Sequence, residues 1–552
     1  MNDDTQHPGG LGRRHFLAGA AAGAAATLTA CDSPRRNKPD TTSTPTSAIE
    51  SIDRERHRPG TPDWRIHATG PPDAVQGFAD KVSVLPGEEF GLHVSTTAPG
   101  FRVSAYRIGW YGGAQARRVW RSDRVAGRVQ PGPRVIAATR TVRADWDRTL
   151  TVRTDGWPEG AYLLRLDAEN GPGPGHGYQR YVPLIIRSAS TRGRTVLMHA
   201  PATWQAYNLW GGRSLYQGED GAYRTRSLAV SFDRPYDKNG ADKFMVYERA
   251  VVVLAERLGL PMAYITGIDV HADPSALKGA TAVVALGHDE YWTPEQRRHV
   301  TRARDAGTNL AFLGANTCFR RVRLEDTARP AAEASPATPT PTATSPATIP
   351  SPALRTVVCY KTDYRDDPYL VDHRSMATTD FRQPPGADPE SSLTGVLYEG
   401  FPTDAPYVVH GPDHWVFDGT GVRRGDSFAH LVGVEYDRVT PEAPGPAPAP
   451  APAPIEIVAH SPLVCNGRKS HSDSAYYTVP SGAGVFATGT MRWVEGLMAG
   501  TRENGRNHGM DARTGAFVTR TTENVLRAFA EGPAARTRPA PRDNVHTLYT
   551  AW

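Results

Sequence analysis

Thr281-Ala282-Val283-Val284-Ala285-Leu286 runs straight into Gly287-His288-Asp289-Glu290-Tyr291-Trp292, and then into Thr293-Pro294-Glu295-Gln296. The first six residues form a short apolar run, the pattern of a strand buried on both faces of a parallel sheet. The last four read as a helix start, with Thr at the cap, Pro at the first position and Glu close behind. An imidazole, two carboxylates and a phenol therefore share the loop after a strand's carboxyl end. Ligands bind at that place in open α/β sheets, so the loop's polarity points to chemistry more than to packing.

The same alternation extends to either side. Thr195–Met198 and Ala263–Thr266 read as strands, Lys243–Leu258 as a helix ending at Gly259, residues 294–306 as a helix stopped by Gly307, and Asn309–Leu313 as a further strand. Strand–helix alternation with short connections predicts an α/β, doubly wound parallel sheet. Residues 62–188 follow another rule. Short alternating runs such as Lys81–Leu85, Phe90–Val94, Arg102–Ile108 and Tyr162–Leu166 are separated by Pro-Gly and Gly-Gly turns. With no helical period between them, they predict an antiparallel β-sandwich.

Two low-complexity insertions, 328–354 (Ala, Pro, Thr, Ser) and 441–454 (an Ala-Pro repeat), are expected to be solvated excursions from the α/β region. The tail after 531 is Pro- and Arg-rich and is expected to be loose, with Tyr549 and Trp552 as docking candidates.

At the other end, Arg13-Arg14-His15-Phe16-Leu17 is a twin-arginine pattern followed by an Ala-rich apolar stretch. Leu28-Thr29-Ala30-Cys31 resembles a lipobox whose Cys is lipidated. Residues 1–31 therefore read as an export signal and 32–61 as a flexible tether rich in Ser, Thr, Pro and charge. The expected location is outside the cytoplasm, either tethered to the membrane by a lipid on Cys31 or secreted after ordinary signal-peptidase cleavage. No later apolar run is long enough to span a bilayer. A net charge of +5 spread over 552 residues, with no dense basic block, argues against a nucleic-acid partner. Besides Cys31, only Cys318, Cys359 and Cys465 occur, without metal-ligand spacing. They read as small buried residues, one disulfide being the alternative.

Four further stretches carry chemistry-bearing residues: Thr203-Trp204-Gln205-Ala206-Tyr207-Asn208-Leu209-Trp210 after the first α/β strand, Tyr223-Arg224-Thr225-Arg226 leading to Arg234-Pro235, Lys361 in Val358-Cys359-Tyr360-Lys361, and Glu435 in Gly433-Val434-Glu435-Tyr436-Asp437-Arg438. Each alone has a structural reading: an aromatic cover for the sheet, a surface tyrosine, salt-bridged charges.

Together with the Gly287–Trp292 loop and Gly314-Ala315-Asn316, these stretches resemble the C-terminal domain of the N,N-dimethylformamidase large (β) subunit, over residues 190–530. That domain has a glutamine-amidotransferase-like or flavodoxin-like fold. The 62–188 region, with Tyr106-Arg107-Ile108-Gly109-Trp110-Tyr111-Gly112-Gly113, resembles the sandwich preceding it in actinobacterial relatives. The resemblance implies a mononuclear ferric iron held by two tyrosines and one glutamate, and hydrolysis of a small amide. By motif position the ligands are Tyr207, Tyr223 and Glu290, with Tyr216 competing for the second tyrosine. His288 orients Glu290 or substrate, and Lys361 and Glu435 match the catalytic pair.

Phenolate and carboxylate oxygens suit a hard, high-charge cation. Amide hydrolysis needs a Lewis acid at the carbonyl, a base for water and an acid for the amine. The family enzyme works with a separate small subunit, and nothing in this chain resembles one. The alternative is a non-catalytic exported surface protein that keeps the fold. A Cys-dependent enzyme has little support, because no Cys lies in a strand-to-helix nucleophile turn.

Overall fold

Alternate residues of one five-residue strand sort into two different cores, and this organises the C-terminal two-thirds of the molecule. In Thr195–His199, Leu197 joins one buried apolar cluster while Val196 and Met198 join another. A strand that buries both of its faces needs cover on both sides. The computed structural model describes residues 48–171, 177–326, 354–384, 386–440, 451–499 and 508–549. The expected signal with Cys31, most of both insertions, and Trp552 lie outside the described residues. Ser47–Trp552 forms one compact unit.

The central sheet has seven strands: β1 (Thr195–His199), β2 (Met262–Thr266), β3 (Ala282–Ala285), β4 (Asn309–Phe312), β5 (Ile455–Cys465), β6 (Arg468–Thr478) and β7 (Gly484–Ala487). Their spatial order is β2-β1-β3-β4-β7-β6-β5. The first five in that order run parallel, and β6 and β5 are antiparallel additions. β1 sits between β2 and β3, so the chain reverses its winding direction there. Ligand crevices open at such a switch point, outside the strands' carboxyl ends.

The helices used below are α1 (Pro201–Ala206), α2 (Asp242–Tyr247), α3 (Arg249–Leu258), α4 (Pro294–Asp305) and α5 (Ala512–Ala530). One face of the sheet, with Leu197, Val284, Ala311 and Phe486, packs with Val251 and Val252 of α3 and Phe517 and Val525 of α5. The other, with Val196, Val283, Leu310 and Val485, packs with Val300 and Ala303 of α4. The helix expected over Lys243–Leu258 is broken at Glu248 (φ −129°, ψ −41°). Its carboxylate turns to the end of β1, binding His199 Nδ1 at 2.6 Å and Trp204 Nε1 at 2.7 Å. α4 starts as its sequence implies, Thr293 accepting from Gln296 N at 3.1 Å. The side chain of Asn309, at the start of β4, donates to Phe529 O and Gly532 O and accepts from Gly484 N and Ala534 N.

Before this sheet come a three-stranded antiparallel sheet (Val75–Ala79, Glu89–Thr96, Leu150–Arg153) and a six-stranded one centred on Gly100–Ile108, Gly160–Ala168 and Gln179–Ile186. Phe90, Leu92 and Val94 of the first meet Val103, Leu164, Leu166 and Leu184 of the second in a shared core. The opposite face of the larger sheet contributes Tyr106, Ile108, Leu163 and Ile185 to the cluster containing α3 and β1. Buried Arg107 and Glu256 of α3 form an ion pair across that junction.

The tether expected over 32–61 differs in its second part, where Ala48–Arg56 is a helix. Ile52 is buried, and Glu55 pairs with Arg117 and accepts from Tyr111 Oη at 2.8 Å. One apolar anchor and one buried carboxylate outweigh the polar composition around them. The tail also docks, with Tyr549 donating to Asp473. Cys318, Cys359 and Cys465 are free and buried.

Candidate functional site

Tyr207 ends α1, just past the carboxyl end of β1, and Glu290 lies in the loop after β3. The two loops are tied by Thr203, whose hydroxyl accepts from the backbone N–H of Glu290 (3.1 Å) and Tyr291 (3.3 Å). Gly287 has φ +38°, and a Cβ there would meet Tyr247 O at 2.4 Å. On Gly314, after β4, a Cβ would meet Gly287 O at 1.7 Å. Both positions require glycine for the neighbouring loops to approach this closely.

Three oxygen-bearing side chains converge there. Tyr207 donates to Glu290 Oε2 at 2.7 Å. Tyr216 Oη lies 2.7 Å from Tyr207 Oη and 2.8 and 3.0 Å from the two Glu290 oxygens. Tyr291 Oη adds a third phenol, 2.8 Å from Tyr216 Oη. The Tyr207 and Tyr216 rings stack at 4.4 Å.

Tyr223 does not join this group. It is 41% exposed, with its hydroxyl 3.3 Å from Thr362 Oγ1 and the Arg226 guanidinium 3.9 Å from its ring centre. The expectation that Tyr223 stands beside Tyr207 and Glu290 is therefore corrected to Tyr216, the competing residue. The arginines that drew attention to the Tyr223 run are scaffold. Arg226 pairs with Asp363 at 2.9 Å and donates to Tyr360 O, fixing the approach to Lys361. Buried Arg234 donates to Gln205 O and Oε1, Asn208 O, Trp210 O and Arg213 O, fastening the segment that carries Tyr207 and leads to Tyr216.

The other expected residues surround the carboxylate. His288 Nε2 is 3.6 Å from Glu290 Oε2, and Arg320 Nε is 3.3 Å from Oε1. Lys361 Nζ sits 3.2 Å from the centre of the Tyr216 ring and has no hydrogen-bond partner among the described residues. Glu435 accepts from Asn316 Nδ2 at 2.9 Å, and Asn316 N donates to Asp437. Lys243, on α2, holds its ammonium 4.1 Å from the Tyr207 ring centre. Sequence reasoning missed Arg320 and Lys243. Neither lies in a stretch that the sequence marks for chemistry, and only the fold brings them in.

Electrostatics follow from burial. The Tyr207 and Tyr216 hydroxyls are pushed well above the ordinary phenol range by burial and then by the charge of Glu290. Burial also acts to raise Glu290, but His288, Lys361 and Arg320 outweigh it and the net shift is downward. Burial takes His288 down to about 3. It takes Lys361 down to about 7, helped by Arg320 and opposed by Glu290. Glu435 is pushed up to about 8 by burial and by Glu290. Such opposed shifts in one cleft mark functional sites more often than structural ones. The Cys318 thiol is raised by burial, the opposite of what a nucleophile needs.

Among the described residues no group of three or more His, Cys, Asp or Glu is placed to hold a metal ion. An ion at this centre would rest on phenolic oxygens and Glu290. Among curated proteins there is no match to this chain. Residues 102–508, more than half of the chain and including every residue of the cluster, match the family described as N,N-dimethylformamidase beta subunit-like, C-terminal, and the chain belongs to that family.

Proposed function

We propose that this chain is an iron-dependent amidohydrolase of the N,N-dimethylformamidase type, hydrolysing the C–N bond of a small amide. The observation that carries the reading is the meeting of Tyr207, Tyr216 and Glu290 oxygens within 2.7–3.0 Å of one another in a buried site. As phenolates, the two tyrosines repel each other and the carboxylate at this spacing, an electrostatic cost. A cation there converts that cost into attraction. The all-oxygen, potentially trianionic set suits mononuclear ferric iron better than zinc. When bound, such an ion supplies Lewis acidity toward an amide carbonyl oxygen.

The remaining work falls to the chain's own residues. Glu435, made more basic by its surroundings, accepts a proton from the attacking water. Lys361, made more acidic, delivers one from Nζ to the departing amine nitrogen. Neutral His288 beside Glu290 keeps that carboxylate oriented. The twin-arginine pattern and the stretch before Cys31 support action outside the cytoplasm, with a lipid tether at Cys31.

Loading purified protein with ferric iron tests this. The expected result is about one iron per chain and a visible tyrosinate-to-iron band. Tyr216→Phe and Tyr207→Phe lose most of both, while Tyr223→Phe keeps both. A colourless wild type, or a Tyr223→Phe variant as pale as Tyr216→Phe, overturns the ligand assignment. Unchanged turnover of amides in Glu290→Ala would leave the fold without the chemistry.

A further inference from the structure

The two oxygens of Glu290 keep different company. Oε2 accepts from Tyr207 at 2.7 Å and lies 2.8 Å from Tyr216 Oη, with His288 Nε2 at 3.6 Å. Oε1 lies 3.0 Å from Tyr216 Oη and accepts from Arg320 Nε at 3.3 Å. Arg320 thus meets the one carboxylate oxygen that Tyr207 does not. The neighbouring lysines, Lys361 and Lys243, face the tyrosine rings instead.

The backbone fixes this arginine. Arg320–Arg321 is the middle strand of a three-stranded sheet, parallel to Tyr291–Trp292 and antiparallel to Thr379–Asp380. Arg320 N donates to Glu290 O at 2.9 Å, so the side chain starts beside the carboxylate it reaches. Across the strands it stands opposite Asp380, and a terminal guanidinium nitrogen donates to that acid. The Phe319 ring centre lies 4.5 Å from the guanidinium carbon. A planar fork held by an acid at one end and an aromatic face beside it keeps little freedom. Asp380 balances its charge, so what the guanidinium gives Glu290 is a fixed direction.

We propose that Arg320, anchored by Asp380, is a positioning residue for the centre. It occupies Oε1, turns Oε2 toward the two phenols, and so leaves Glu290 one oxygen to offer an ion. This inference rests on the iron reading of the site.

The test is iron retention against a chelator, with the visible spectrum, in the ferric-loaded full chain. Arg320→Gln should weaken iron binding by about tenfold or more. It should also move the tyrosinate-to-iron band to shorter wavelength, because a carboxylate freed from a charge-assisted hydrogen bond is a stronger donor. Arg320→Lys keeps the charge without the fork and should restore neither. Asp380→Asn loosens the anchor and should weaken iron retention as well. Arg321→Gln loses contacts to Ala377 O and Gly386 O on the same strand, and should lower the melting temperature without moving the band. A colourless wild type removes this inference together with the iron reading. A coloured wild type matched in band and retention by Arg320→Gln overturns this inference alone, as does full recovery in Arg320→Lys or an equal band shift in Arg321→Gln.

Discussion

Tyr207 aims at Glu290 from a segment held in place by a residue that never touches that carboxylate. Arg234 spends its five donor contacts on the 205–213 segment, although burial lowers its guanidinium to about 10. Arg234→Met takes that donor from the carbonyls of Asn208, Trp210 and Arg213, while the two Gln205 oxygens keep Asn208 as a partner. Each such group costs about 1–3 kcal/mol. The expected outcome is a loss of at least about 3 kcal/mol of stability in urea denaturation, together with loss of the visible band after iron loading. Tyr223 shows where local reading stops. Its neighbours Arg226 and Arg234 are conspicuous in the sequence, and their chemistry lies in backbone carbonyls that the sequence does not reveal. Tyr216, two residues after Ser214, is set by a small cap, Ser214 Oγ accepting from its backbone N–H at 3.1 Å. That signal is too ordinary to stand out.

At the scale of elements, the strands of the parallel sheet were largely legible. The runs read at Thr195–Met198, Ala263–Thr266 and Asn309–Leu313 lie within a residue of β1, β2 and β4. Continuous apolar character is the direct imprint of two-sided burial. The break at Glu248 was not legible, since a carboxylate inside a helical period normally faces water. Short caps carry their own predictions. His414 opens the turn Trp415–Phe417, its Nδ1 accepting from Val416 N at 3.4 Å, which requires the neutral ring. Burial, with Arg542 nearby, lowers it to about 3. The unfolded chain takes up a proton below its ordinary pKa of about 6.5 and the folded chain does not. The contribution to stability is therefore intact above that pH and is lost as pH falls toward 3, by at most about 1.4 kcal/mol per unit. Urea midpoints at pH 7 and pH 5 should differ less in His414→Asn than in wild type.

For the whole molecule, the six-stranded and seven-stranded sheets share a buried cluster, and the Arg107–Glu256 pair crosses between them. Breaking a buried pair from one side strands a charge and costs about 3–5 kcal/mol. Arg107→Met should lower the melting temperature sharply, and Arg107→Met/Glu256→Met should recover much of the loss. Calorimetry should show one transition in wild type and in the double variant. Sequence patterning reads the two regions with different periods, two for the first and mixed for the second. It was silent on their joint core, because a face's destination is not written in its alternation.

The return of β7 to β4, with Asn309 bridging to residues beyond 530, also sets an order of events during synthesis. While the ribosome is still making the segment between them, β4 waits as a bare edge inviting a foreign strand. The late segment is sensed by a single amide, since Asn309 finds its last acceptor and donor only when Gly532 and Ala534 emerge. A nascent chain halted short of that point should be held by chaperones or clump, however well its first half is made.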